Sequence, residues 1–148
     1  PETLAPGLFR TCDDGGALFT RTLLPRRSVA EKIGGPGHEF ETGGRNYPVD
    51  PWCLKQVRDL NYMGAWRLEI KSARPETETC FLHLLQTADR DGGTPVAAEL
   101  IAGPNQDGVR FRTADGRDVE VRFQRSGKPA GSLVIRRDGR ILVSGKLF

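Results

Sequence analysis

Apolar and polar residues alternate in short runs along this chain, and the runs are cut off at short intervals by glycine, proline or Asp-Gly. A period of two is what a strand with one buried face requires. Residues 18–24 read as a strand ended by Pro25, and residues 29–33 as a short strand running into Gly34-Gly35-Pro36-Gly37. Residues 38–42 form a further short strand closed by Gly43-Gly44, and residues 45–49 lead into Pro51. Residues 52–59 are the one stretch that reads as a helical turn. In residues 65–74, Trp66, Leu68 and Ile70 point one way while Arg67, Glu69 and Lys71 point the other. Residues 79–88 carry Phe81, Leu82, Leu84 and Leu85 with little alternation, which predicts a central strand covered on both faces. Residues 96–102 follow the loop Asp91-Gly92-Gly93 as another strand.

The last third reads as consecutive hairpins. Asp107-Gly108, Asp115-Gly116 and Asp138-Gly139 are dipeptides that fill tight turns with positive φ. Between them Val109, Phe111 and Thr113 alternate with Arg110 and Arg112, and Val119, Val121 and Phe123 alternate with Glu120 and Arg122. A chain of 148 residues with 18 Gly, 10 Pro and 1 Met holds little long helix and has the length of one domain. The expectation is a single all-β domain over residues 1–148, an antiparallel β-sandwich of roughly ten short strands with a hairpin-rich C-terminal half.

Charge is unevenly placed. Residues 104–148 hold ten basic against five acidic side chains, a balance of +5, while the remainder holds twelve against fourteen, a balance of −2. Outward arginines in the meander would suit an anionic partner such as a nucleic acid or an acidic polysaccharide, or simply form a solvated face. No apolar run approaches the ~20 residues of a membrane-crossing helix. The three cysteines show no CxxC and no metal-ligand spacing. Cys80, beside an apolar run, is expected in the core, and Cys12 and Cys53 pair only if the fold brings them together.

Two histidines narrow the enzyme classes. His83 lies inside the most apolar run and reads as a hydrogen-bonded core or edge histidine. His38 follows the glycine-rich loop, where a side chain can be aimed at a ligand, but its neighbour Glu39 would point to the opposite face of a strand. No GxSxG is present, and the glycine loop lacks the Lys-Ser/Thr and the helix of a phosphate loop. Tyr47, Trp52, Tyr62 and Trp66 are the aromatic side chains with polar tips; Trp66 is expected in the core. Tyr47 and Trp52 flank a proline-bounded loop, where rings stack on sugars or pack the loop itself. Arg45, Asn46 and Tyr47 together make a plausible glycan contact, and Arg110, Arg112 and Arg122 could fork onto carboxylates or sulfates.

Five separated segments occur in a suggestive order: Leu18-Phe19-Thr20-Arg21-Thr22-Leu23-Leu24-Pro25, Lys32-Ile33-Gly34-Gly35-Pro36-Gly37-His38-Glu39-Phe40, Asn46-Tyr47-Pro48, Gly64-Ala65-Trp66-Arg67-Leu68-Glu69-Ile70 and Phe81-Leu82-His83-Leu84-Leu85-Gln86-Thr87-Ala88-Asp89. Together they resemble the C-terminal β-region of heparinase II/III-like polysaccharide lyases. The resemblance covers roughly residues 18–89, with the hairpins beyond fitting less specifically. It implies a parent with an upstream α/α toroid and β-sandwich layers that cleaves uronate-containing acidic polysaccharide by β-elimination, with a Tyr/His pair as acid and base, in the periplasm or outside the cell. Catalytic residues and any structural zinc would lie upstream, so no catalytic residue, metal or cofactor is expected in this chain. The implied partners are the parent's upstream layers and the polysaccharide, not a nucleic acid, with dimerisation through an uncovered surface as a further expectation. Two alternatives stay open: an autonomous carbohydrate-binding module that uses Tyr47, Trp52 and the arginine face, and a small enzyme that uses His38 with Tyr47.

Overall fold

The computed structural model describes residues 1–13, 15–56 and 64–148. Among these, thirteen strands and one short helix follow in order. The first half holds β1 (Glu2–Ala5), β2 (Leu8–Cys12), β3 (Ala17–Leu24), β4 (Ser28–Gly34), β5 (Glu41–Thr42), β6 (Arg45–Asn46), α1 (Pro51–Gln56) and β7 (Trp66–Ser72). The second half holds β8 (Leu82–Ala88), β9 (Ala98–Ala102), β10 (Gln106–Arg112), β11 (Asp118–Gln124), β12 (Gly131–Arg137) and β13 (Arg140–Lys146). The fold is all-β, antiparallel and sandwich-like, as expected. Tyr62 and residues 57–59 of the expected helical turn lie outside the described residues.

By its contacts the chain divides into a larger unit, Glu2–Arg26 with Glu78–Phe148, and a smaller one, Arg27–Thr77 with Pro1. The larger unit contains a four-stranded sheet in the order β1-β2-β3-β8 and a five-stranded meander in the order β13-β12-β11-β10-β9. In the first sheet, the register places Leu8, Ala17 and Phe19 on one face, shared with Leu84, Gln86 and Ala88 of β8. In the second, Val109 and Val119 share a face with Phe111 and Val121. Among the described residues, Leu8, Phe9, Ala17, Phe19, Val109 and Val119 are the buried apolar side chains, Phe9 on the opposite face of its sheet from Leu8. Gln86, partly covered, shares the face of Leu8 and Phe19, and each end of its amide meets a backbone partner. Its Nε2 donates to the Thr94 carbonyl at 3.0 Å and its Oε1 accepts from the Val96 N–H at 2.8 Å, which ties the β8–β9 connection to β8.

Three expectations are corrected here. The apolar run of β8 predicts a central strand, yet β8 ends its sheet, and only its alternate residues Leu82, Leu84, Gln86 and Ala88 are partly covered. Phe81 and Leu85 stand in solvent, so an unbroken apolar run marked one covered face, not two. Cys80, expected in the core beside this run, is exposed, and the thiols of Cys12, Cys53 and Cys80 are all free. Asp107-Gly108 is not a turn but the start of β10. The Asp107 carboxylate is buried and forked by Arg125, with Nε at 2.5 Å and Nη2 at 2.8 Å, while Nη2 also reaches the Gly103 carbonyl at 3.1 Å. Gly108 is required for packing: a Cβ there would lie 2.2 Å from the Val121 carbonyl oxygen. At Asp138-Gly139 the turn forms as expected, with φ of 50° and 76° joining β12 to β13.

The smaller unit holds the antiparallel pair β4–β7, the short pair β5–β6 and α1. One face of β4–β7 is an ionic ladder. Arg67 Nε lies 2.7 Å from Glu69 Oε1, and Lys71 Nζ lies 2.6 Å from Glu31 Oε2 and 3.4 Å from Glu69 Oε2. The Arg67 hydrogen bond holds the Glu69 carboxyl below its ordinary range, and Glu31 raises the Lys71 ammonium above its own.

Since the buried apolar set is small, each member carries weight. Phe19→Ala is expected to cost about 3–5 kcal/mol in urea unfolding. Arg125→Ala, which strands a buried carboxylate, is expected to destabilise more than Arg125→Ala combined with Asp107→Ala. The reverse order would show that the pair is only a surface contact.

Candidate functional site

The smaller unit concentrates the side chains singled out for ligand contact. Beyond β4 the chain turns back through Gly34, Gly35 and Gly37, whose φ values of 105°, 118° and 80° suit glycine. Gly35 donates its N–H to the Ala65 carbonyl at 2.7 Å, and a Cβ on it would lie 2.7 Å from the Trp66 ring. His38 donates to the Gly35 carbonyl at 2.8 Å and Glu41 to the His38 carbonyl at 3.1 Å. The expected strand over residues 38–42 is therefore mostly a turn, and only Glu41–Thr42 pairs, with Arg45–Asn46. This turn decides which carboxylate meets His38. Glu39 folds back so that its Oε1 accepts the Gly37 N–H at 3.0 Å, and backbone hydrogen bonds from Glu39 itself and from Gly37 hold its carboxyl below the ordinary range. Glu41, which the sequence reasoning did not single out, places Oε2 3.4 Å from His38 Nδ1. The spacing of three residues across the turn at 38–41 was the signal for it.

The rest of the cluster follows from the β5–β6 pairing. Asn46 Nδ2 donates to the Gly37 carbonyl at 2.7 Å, which fastens the returning strand beneath the glycine turn. Arg45 stacks its guanidinium 4.7 Å from the Tyr47 ring centroid. The stack steadies the Arg45 fork while its N–H groups stay available. Trp52 sits on α1, 68% exposed, where the Asp50 carboxylate caps the helix by accepting the Trp52 N–H at 2.7 Å. Trp66 departs from expectation: it is 43% exposed, lies against Gly35, and carries Lys32 Nζ 4.1 Å from its ring centroid. Its strand is paired only with β4, so no apolar layer of its own sheet closes over it. The structure thus joins His38 to Glu41, Asn46 to the turn that presents His38, and Arg45 to Tyr47.

Arg110, Arg112 and Arg122 belong to the larger unit, on one face of β10–β11. Glu120 takes both Arg122, 2.8 Å from Nε, and Arg110, 3.2 Å from Nη2. Arg112 lies 3.5 Å from Asp118. The Arg122 hydrogen bond is the main reason the Glu120 carboxyl sits below its ordinary range. Three arginines against two carboxylates leave one positive charge, so this face is far less cationic than its arginine content.

The larger unit also bears a groove of about 490 Å³ lined in part by Leu24, Phe81, Leu82, His83, Phe123 and Arg125. His83 Nδ1 lies 3.2 Å from Thr22 Oγ1, an edge histidine tied to the neighbouring strand.

Among the described residues no group of three or more His, Cys, Asp or Glu could hold a metal ion. At the glycine turn His38 and Glu41 supply two donors, fewer than a structural zinc takes. No helix among the described residues is long and apolar enough to cross a membrane. With this geometry in hand, a scan against protein-family models and a search of curated proteins each find no match.

Although the His83 side chain lies on the exposed face of β8, desolvation of its ring beside Phe81 and Thr22 pushes its pKa below the ordinary value. The folded value lies under the unfolded one of about 6.5, so the stability it contributes is complete above that pH. It is lost as pH falls toward the folded midpoint. An imidazole titration by NMR is expected to place the His83 midpoint under 6.5, and His83→Gln to flatten the stability profile in that window. A midpoint above 6.5 would contradict the assigned desolvation.

Proposed function

We propose that this chain is a non-catalytic β-domain like the C-terminal β-region of heparinase II/III-like polysaccharide lyases. In this reading it supports a cleft for uronate-containing acidic polysaccharide in the periplasm or outside the cell, beside upstream layers of the same protein. The glycine turn and β5–β6 of the smaller unit contact the glycan. The observation that carries the reading is the Arg45–Tyr47 stack beside a turn that also presents His38. A guanidinium held on a ring offers paired N–H donors to a sugar carboxylate or sulfate, and polar side chains around it suit hydroxyls. The proposed contact residues are His38, Arg45, Asn46 and Tyr47. The arginine face of β10–β11 contributes less, because Glu120 and Asp118 already occupy its forks.

Catalysis is assigned elsewhere in the parent. The exposed His38–Glu41 pair has one proton-transfer partner for the imidazole, and β-elimination also requires neutralisation of the uronate carboxylate and an acid for the leaving oxygen. A second reading, an autonomous carbohydrate-binding module, is favoured by the exposure of Trp52 and Tyr47.

Calorimetry with heparan sulfate, alginate and a neutral glucan tests the proposal. Expected is weak binding to one of the uronate chains, none to the glucan, and a loss of about tenfold on Arg45→Ala. The chain alone is expected to produce no unsaturated-uronate absorbance. Equal affinity for the neutral glucan, or indifference to Arg45→Ala, would remove the assigned contact site. Product absorbance would overturn the non-catalytic assignment, and tight binding by the isolated chain would select the autonomous module.

A further inference from the structure

The five-stranded meander ends in a strand that nothing among the described residues pairs with on its outer side. Every residue of β13 is exposed, and its middle is Ile141-Leu142-Val143, followed beyond the strand by Leu147 and Phe148, the last 73% exposed. Edges of this kind are usually blunted by proline, by a central charge or by cover, because their free N–H and C=O groups template another strand. The centre of β13 has no proline and no charge, and its one bulge, where Ile135 pairs with Val143 and Arg136 with Ile141, lies at Leu142 and leaves Val143 to Lys146 in regular register with β12. Its two basic residues, Arg140 and Lys146, stand at the ends.

Backbone direction fixes which groups are free. The Leu147 N–H donates to the Gly131 carbonyl at 3.0 Å, so Leu147 faces β12. Alternation turns Gly145 and Val143 the same way and directs the N–H and C=O of Ser144 and Lys146 outward.

We propose that β13 pairs with β13 of a second copy of this chain, antiparallel, about a two-fold axis perpendicular to the sheet at Gly145. The result is one continuous ten-stranded sheet. This register is selected by complementarity of charge and side-chain class. Ser144 faces Lys146 of the other copy, so the two outward residues of each strand exchange four backbone hydrogen bonds in all. Val143 faces Leu147, Leu142 faces Phe148, and Gly145 faces itself at the closest approach, where it adds no bulk. A centre at Val143 would set Arg140 against Lys146, like charges directly opposed. A centre at Leu142 would set outward Ser144 against Arg140, whose backbone groups are directed to Arg137 across the two-residue turn. Val143 lies on the face of the sheet that carries Val119, so pairing also extends that apolar face.

Sedimentation velocity on the full chain tests the pairing. Expected is a concentration-dependent species of twice the 16.3 kDa chain mass. Ser144→Pro removes an outward N–H while sparing the ladder to β12, and is expected to leave a monomer with unchanged circular dichroism. Leu142→Lys is expected to weaken dimerisation about tenfold, since every change counts twice across the axis. Adding Phe148→Glu to Leu142→Lys is expected to restore the dimer, because the opposite charges meet only between copies, whereas adding Phe148→Lys is expected to weaken it further. A wild-type monomer at all concentrations would overturn the proposal, as would a dimer indifferent to both Ser144→Pro and Leu142→Lys, or no rescue by the charge swap.

Discussion

A thin apolar layer in the larger unit, Leu8, Ala17 and Phe19 on one sheet and Val109 and Val119 on the other, is the constraint on which the rest depends. Each strand offers only alternate residues to such a layer, and turns consume much of the remaining chain. Little else is deeply buried, and two polar side chains at this layer are satisfied locally. Gln86 bonds the connection that follows its own strand, and Asp107 is forked by Arg125. Strands at the ends of the sheets keep their outward apolar side chains in solvent, as Leu85 does on β8 and Ile141 to Val143 do on β13.

Chemistry follows from the same economy of burial. The exposed β10–β11 face is rich in arginine, yet Glu120 and Asp118 stand among the guanidiniums at cross-strand spacing and compensate most of their charge. The smaller unit works differently. Its glycine turn leaves a tight backbone path whose carbonyls and N–H groups fasten Asn46 and Glu39, and the side chains left over, His38, Arg45 and Tyr47, face outward with short-range partners only. A side chain stacked or paired at the surface is positioned but still accessible, which is what recognition of an extended, hydrated, anionic polymer requires.

Local pattern made most of the strands legible. Asp138-Gly139 dictates its turn through positive φ at both residues, and the alternation of residues 109–113 and 119–123 places Val109 and Val119 inward without any tertiary knowledge. Where the reading failed, a distant partner decided. Asp107-Gly108 has the residues of a tight turn, but Arg125, eighteen positions on, captures the carboxylate and Val121 leaves room only for glycine. Trp66 has the spacing of a core residue, but pairing of its strand with β4 alone leaves it held by Lys32 and Gly35. In the candidate site, Arg45, Asn46 and Tyr47 were legible from adjacency, whereas Glu41 became the partner of His38 only because residues 38–41 form a turn in place of the expected strand.

The proposed function divides the labour: strands of the larger unit would act as scaffold, and the glycine turn with β5–β6 would grip the glycan. Amide chemical-shift mapping during titration with a sulfated, uronate-containing oligosaccharide tests it most directly. Perturbations are expected to concentrate in residues 37–47, with those at residues 109–123 smaller. Perturbations centred on Arg110, Arg112 and Arg122 while residues 37–47 stay silent would contradict it.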